Sequence, residues 1–183
     1  MTIRPIICLP DPRLREVSKA VDAVDDGVRR LMDDMLETMY DAPGIGLAAI
    51  QIGIPMRLVV VDVTGRKERE GEAAPEPMEK PLFLVNPEIV WTSEELGIHE
   101  EGCLSIPEYY EEVERPAGCC VRYLDREGRE QELACEGILA TCIQHEVDHT
   151  NGVLFIDHIS RLKRERVVRK FTKAAREKAR GDA

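Results

Sequence analysis

The chain has 183 residues, 43% hydrophobic and 33% charged, the balance expected of one globular domain, residues 1–183, with its own apolar core. No apolar run reaches the roughly 18–20 residues that cross a bilayer, and the opening "MTIRPIICLPDP" has neither the apolar core nor the small-residue cleavage site of a secretion signal, so a cytoplasmic setting without a membrane partner is expected. The net charge of −10 is uneven: residues 161–183 hold ten Lys and Arg against three acids, a net of +7, which leaves −17 on an acidic body.

The first predicted element is a helix in "DDGVRRLMDDMLETMYDAPG". Val28, Leu31, Met32, Met35, Leu36 and Met39 recur with a 3.6-residue period; Asp25 or Asp26 can cap the start, and Pro43-Gly44 ends it. Its methionines suit a core rather than a cofactor site. "MRLVVVDV" (56–63) is short, apolar and β-branched, which predicts a buried strand. Residues 65–80, "GRKEREGEAAPEPMEK", read as an exposed, mobile loop. "LFLVNPEIVWTS" (82–93) offers two strand-like halves bent at Asn86-Pro87, with Trp91 assigned to packing. "CCVRYLDREGREQELAC" (119–135) predicts a hairpin that turns at Asp125–Gly128.

A second helix is predicted over "GILATCIQHEVDHTNG" (137–152). Ile138, Leu139, Ala140, Ile143 and Val147 spread round more than one face, which marks a buried helix, and Asn151-Gly152 stops it. A third, basic helix is predicted from about residue 160, with Leu162, Val168, Phe171 and Ala175 as its apolar stripe. The expected class is α+β: short mixed or antiparallel strands around a buried central helix, with one helix before it and one after. The six cysteines, in a chain that needs no staples, read mostly as small buried thiols in a reducing compartment.

The chemistry lies in "HEVDH". His145 and His149, one helical turn apart, project from one face and can chelate one ion, while Glu146 points to the side, within reach of a water on that ion. Burying two imidazoles, Glu146 and Asp148 on an otherwise apolar helix is costly without such a partner. Asp148 is either an acceptor that orients a ligand ring or a solvated side chain. For the third ligand, the pattern HExxHxxGxxH fails, because Phe155 stands where its last histidine belongs. Cys142 and Cys103 compete: Cys142 sits one turn before His145, where three ligands from one helix crowd a tetrahedral ion, whereas Cys103 in "EEGCLSIPE" closes the site from a separate segment. A closed, non-catalytic metal module with a redox-reporting thiol is the rival outside the hydrolases.

Three stretches in this order, "GIGLAAIQ" (44–51), "EGCLS" (101–105) and "QHEVDH" (144–149), resemble the peptide deformylases, and the likeness runs from "RPIICLPDPRLR" to "GVLFIDHIS". The resemblance implies a metal-dependent hydrolase that removes the formyl group from the N-terminal formylmethionine of new polypeptides. It implies Cys103, His145 and His149 as ligands of one divalent ion, ferrous iron first and zinc or another divalent ion as alternatives. It makes Glu146 the general acid/base, with Gln51 and the backbone N–H of Leu104 on the developing oxyanion.

Gly44, Ile45, Gly46, Glu101, Arg115, Ile138 and Cys142 would bind substrate. Ile45, Leu104, Ile138 and Cys142 are the candidates for the methionine pocket. Gly44 and Gly46 would let a substrate chain lie close and pair edge to edge; the alternative is that they merely end a helix and start a strand. Arg115 matches a position near the family's peptide channel, with a structural salt bridge as the alternative. His99 is an unusual neighbour of the "EEGC" stretch, and His158 reads as packing or capping. The basic tail would dock on the ribosome, or else be a solvated helix that balances the acidic body.

Overall fold

A computed structural model describes residues 2–64 and 81–181; the loop expected at 65–80 lies outside them. Among the described residues three α-helices and seven strands follow in the order α1 (Asp26–Asp41), β1 (Gly46–Ala48), β2 (Leu58–Val61), β3 (Leu82–Thr92), β4 (Leu96–Cys103), β5 (Ile106–Pro116), β6 (Gly118–Leu124), β7 (Glu130–Glu136), α2 (Gly137–Thr150) and α3 (Arg161–Gly181). A five-stranded sheet runs β1-β2-β3-β6-β7 and β4-β5 form a separate pair, all antiparallel. The class is therefore α+β, as expected.

The large sheet is covered on both faces, which explains its least patterned strand. In β2, Val59 and Val61 pack with Ala140, Ile143 and Val147 of α2. Leu58 and Val60 face the other way, onto Met32, Met35 and Met39 of α1. A strand buried on both sides reads as an unbroken apolar run rather than an alternation. Asp25 caps α1, its carboxylate accepting from the Val28 N–H at 2.8 Å. The β6–β7 hairpin turns where expected, with the Gly128 N–H donating to the Asp125 carbonyl at 2.9 Å and Gly128 at φ 78°. Among the described residues no helix is long and apolar enough to cross a membrane.

Several expectations need correction. Residues 82–92 form one strand rather than two halves. Asn86, at φ 52°, absorbs the bend inside a register shift between Val85 and Glu88, and its side chain clamps Val21 through bonds of 2.8 and 2.9 Å. Trp91 is 57% exposed, because β3 there turns its outer face to solvent. Strands β4 and β5 were not foreseen: their glutamates hide an alternation in which Glu101, Val113 and Arg115 turn inward. On α3, Val167 takes the buried position while Leu162 is 66% exposed and Ala175 faces solvent. Among the described residues the six cysteines form no disulfide; Cys119, Cys135 and Cys142 are buried and the other three half-buried.

Candidate active site

Two elements bring the ligand candidates together. Helix α2 carries His145 and His149 on one face, their rings 5.0 Å apart at 67°. Cys103 ends β4, where the chain turns back towards β5, and its Sγ lies 3.3 Å from His149 Nε2. The ligand atoms of Cys103, His145 and His149 all lie within 4.8 Å of one another. Cys142 stands outside this group, its thiol facing the Ile45 carbonyl at 3.6 Å. Phe155, which breaks the longer zinc-peptidase pattern, stacks on His145 with centroids 5.8 Å apart and supplies an apolar wall instead of a ligand.

The donor set suits a cation. Burial opposes protonation of His145, yet Cys103 and Glu101 outweigh it and hold the imidazole well above its ordinary value, so the pocket favours positive charge. Burial, then the neighbouring His145, holds His149 well below its ordinary value, in the neutral form a ligand needs. Glu101 Oε2 accepts from His145 Nδ1 at 2.8 Å, which orients the ring and turns Nε2 towards the cluster.

Glu146 is 4% exposed, and among the described residues its Oε2 has no hydrogen-bond partner. Burial pushes its carboxyl up to about 7. A carboxylate poised near neutrality can both take and return a proton. Gln51, 1% exposed, is held by the Ala48 N–H, which donates to its Oε1 at 2.8 Å. Its Nε2 is thereby aimed at Ser105 Oγ (3.2 Å) and Cys103 Sγ (3.5 Å).

Gln51, Cys103, His145 and Glu146 line a cleft of about 530 Å³ with Gly44, Ile45, Gly46, Leu104, Ile138 and Cys142. The glycines have a reason that the sequence did not disclose. A Cβ on Gly46 would stand 2.5 Å from Glu146 Oε1 and 2.9 Å from Cys142 Sγ, and one on Gly44 would meet Leu104 Cδ1 at 2.8 Å. Gly46 thus admits the carboxylate itself against β1.

Arg115 is not in this cleft. It lines a second cavity behind α2 and is committed to ion pairs, its Nε and Nη2 donating to Glu101 at 2.5 and 3.0 Å and its Nη1 to Asp148 at 2.8 Å. Of its two readings, the salt bridge is the one displayed. Glu101 borders the cleft, but its carboxylate is spent on Arg115 and His145; burial works against its ionisation, yet these two partners hold it down to about 2. Asp148 accepts from Arg115 and His158. Ser105 and Thr141, unremarked in the sequence, are buried in or beside the cleft; nothing in their local pattern announces them.

The model of the family described as polypeptide deformylase matches residues 3–165. The peptide deformylase of Rhizobium meliloti (strain 1021) is 63% identical over 176 residues, covering 96% of each chain. That of Agrobacterium fabrum is 61% identical over 97% of this chain and 99% of its own. Among solved structures, a Legionella pneumophila peptide deformylase superposes with a TM-score of 0.83 at 45% identity, covering 98% and 99% of the two chains. The Ehrlichia chaffeensis peptide deformylase in complex with actinonin gives 0.86 at 41%, covering 95% and 98%. With this site and these relatives, the chain belongs to the peptide deformylase family, the metal-dependent hydrolases that remove the N-formyl group from nascent polypeptides.

Proposed function

We propose that Cys103, His145 and His149 hold one divalent ion, ferrous iron before zinc or another metal, and that Glu146 carries the proton for deformylation of N-formylmethionyl peptides. The observation that carries the reading is the orphan Oε2 of a buried Glu146 beside a sulfur-and-two-nitrogen cluster. An ion in such a site supplies Lewis acidity that makes water a nucleophile near neutral pH. Glu146 Oε2 takes the proton of the water that attacks the formyl carbon, then delivers it to the amide nitrogen as the C–N bond breaks, giving formate and a free amine. Gln51 Nε2 and the Leu104 N–H donate to the oxyanion as charge grows there.

Topology supports a seat for the substrate. Strand β1 is the outer strand of its sheet, so an extended peptide can pair with the Gly44–Gly46 segment main chain to main chain, which tolerates many sequences. Ile45, Leu104, Ile138 and Cys142 would enclose the methionine side chain. In this reading residues 1–183 act as one catalytic domain in the cytoplasm, with α2 as its central helix, and α3 docks on ribosomal RNA through its basic face.

Formate release from a formyl-Met-Ala peptide by ferrous protein kept from air tests the chemistry. Glu146→Gln should retain the ion and lose about 10²–10⁴-fold in rate; undiminished turnover would contradict the assignment. Co-sedimentation with ribosomes at low salt, with and without residues 164–183, tests the docking, and equal recovery would refute it.

A further inference from the structure

We propose that His158 is a positioning residue for the metal ligands, acting through Asp148 and Arg115. The inference rests on Cys103, His145 and His149 as the ligand set.

The ligands sit on two elements that could slide past one another, β4 with Cys103 and α2 with the two histidines. A closed circuit ties those elements together. Glu101, two residues before Cys103 on β4, accepts from His145 Nδ1 at 2.8 Å. Arg115 on β5 donates to both oxygens of Glu101. The third arm of the same guanidinium donates to Asp148 Oδ2 at 2.8 Å, and Asp148 lies on α2 between the two ligand histidines and next to His149. Arg115 is only 4% exposed, so each of its partners is fixed by the need to satisfy a buried charge.

Asp148 is the open link, because its carboxylate is 23% exposed and water competes for it. His158 Nε2 stands 2.7 Å from Asp148 Oδ2, the oxygen that Arg115 also uses. A carboxylate only accepts, so the imidazole donates. His158 is held at that spot by its own turn: its N–H donates to the carbonyl of Phe155, the residue that stacks on His145. The turn at 155–158 therefore touches the site twice, through the Phe155 ring on a ligand and through the His158 ring on the circuit. With His158 in place, Asp148 is kept on Arg115, Arg115 on Glu101, and Glu101 on His145. A donor lost at 158 frees Asp148 to turn to solvent and loosens the distance between β4 and α2.

The test loads the full chain with zinc and measures ion release to an excess of a chromogenic chelator. His158→Ala should release zinc about 3- to 10-fold faster, less than the roughly 10–100-fold seen when a direct partner of a metal ligand is removed. His158→Gln, whose amide can restore the donor, should return the rate to near the parent's. The cobalt-loaded proteins should show visible bands shifted in His158→Ala and restored in His158→Gln. Should His158→Ala fail to fold, His158→Leu keeps the volume and removes the donor. Parental release rates and cobalt spectra in the Ala or Leu variant would overturn the proposal, even with a lowered melting temperature, since that pattern is a purely structural role. A parent that binds no zinc overturns the proposal together with the ligand set. A parent that binds zinc, and yields no formate when loaded with iron, contradicts the proposed function alone and leaves the release rates to judge His158.

Discussion

Helices α2 and α3 are both rich in polar residues, and their polar residues mean different things. Ten of the fourteen residues of α2 are buried, including His145, Glu146 and His149. On the 21-residue α3 only Val167 is buried, and its Lys and Arg side chains face solvent or make exposed pairs such as Arg161–Glu165 at 2.7 Å. A polar group on α2 has been taken from water and needs a compensating partner. A charge on α3 costs nothing to keep and says little about structure. The first helix should therefore be sensitive to single atoms and the second tolerant of whole side chains.

The largest effect that could break this contrast lies at Glu146. Its replacement by Gln is nearly isosteric, so the expected loss of about 10²–10⁴-fold in formate release is a loss of proton transfer rather than of packing. An intact melting curve alongside that loss would sharpen the point. Next comes Gly46→Ala, which drives a methyl group into Glu146 and Cys142. We expect about 1–3 kcal/mol of destabilisation in urea and at least a tenfold fall in kcat/KM, because the group that must yield is the proposed base. Unchanged activity would mean that Glu146 has room to move.

On α3, Val167→Ala should cost about 1–2 kcal/mol in the same urea titration. Leu162→Ala should stay within about 0.5 kcal/mol, despite the apolar stripe that the sequence suggested. Similar costs at the two positions would erase the distinction between the helices.

The smallest effect concerns acid. Burial works against ionisation of Asp157, but Arg15 and the Leu154 N–H outweigh it and hold its carboxyl below the ordinary carboxylate range. A lowered folded-state value means that the stabilisation is complete above the unfolded-state value near 4 and disappears as pH falls through the folded one. Melting temperature should thus drop less steeply below pH 4 in Asp157→Asn than in the parent. Parallel curves would show that the Arg15 pair contributes nothing.

The same contrast explains what could be read from the chain. Helix α2 was legible because a buried helix cannot hide its polar residues, and the pair of histidines one turn apart states its own geometry. Helix α1 and the β6–β7 hairpin were legible from periodicity and turn residues. Residue logic alone left the choice between Cys142 and Cys103 open, since both satisfied the chemistry; in the fold Cys103 lies beside the two imidazoles and Cys142 faces the Ile45 carbonyl. Strands β4 and β5 went unseen because eight glutamates between positions 94 and 114 obscure their alternation. Arg115, Glu101, Asp148 and His158 meet only through space, so no spacing rule reveals their circuit. The role of Gly46 depends on which side chain lies opposite, and a sequence does not name that neighbour.

The central claim is that one thiolate and two imidazoles share one cation, and X-ray absorption at the metal edge of the loaded protein tests it most directly. One sulfur near about 2.3 Å and two nitrogens near about 2.0–2.1 Å are predicted for zinc. The sulfur should vanish in Cys103→Ser and persist in Cys142→Ser. A sulfur that survives the first substitution, or is missing from the parent, would contradict the account.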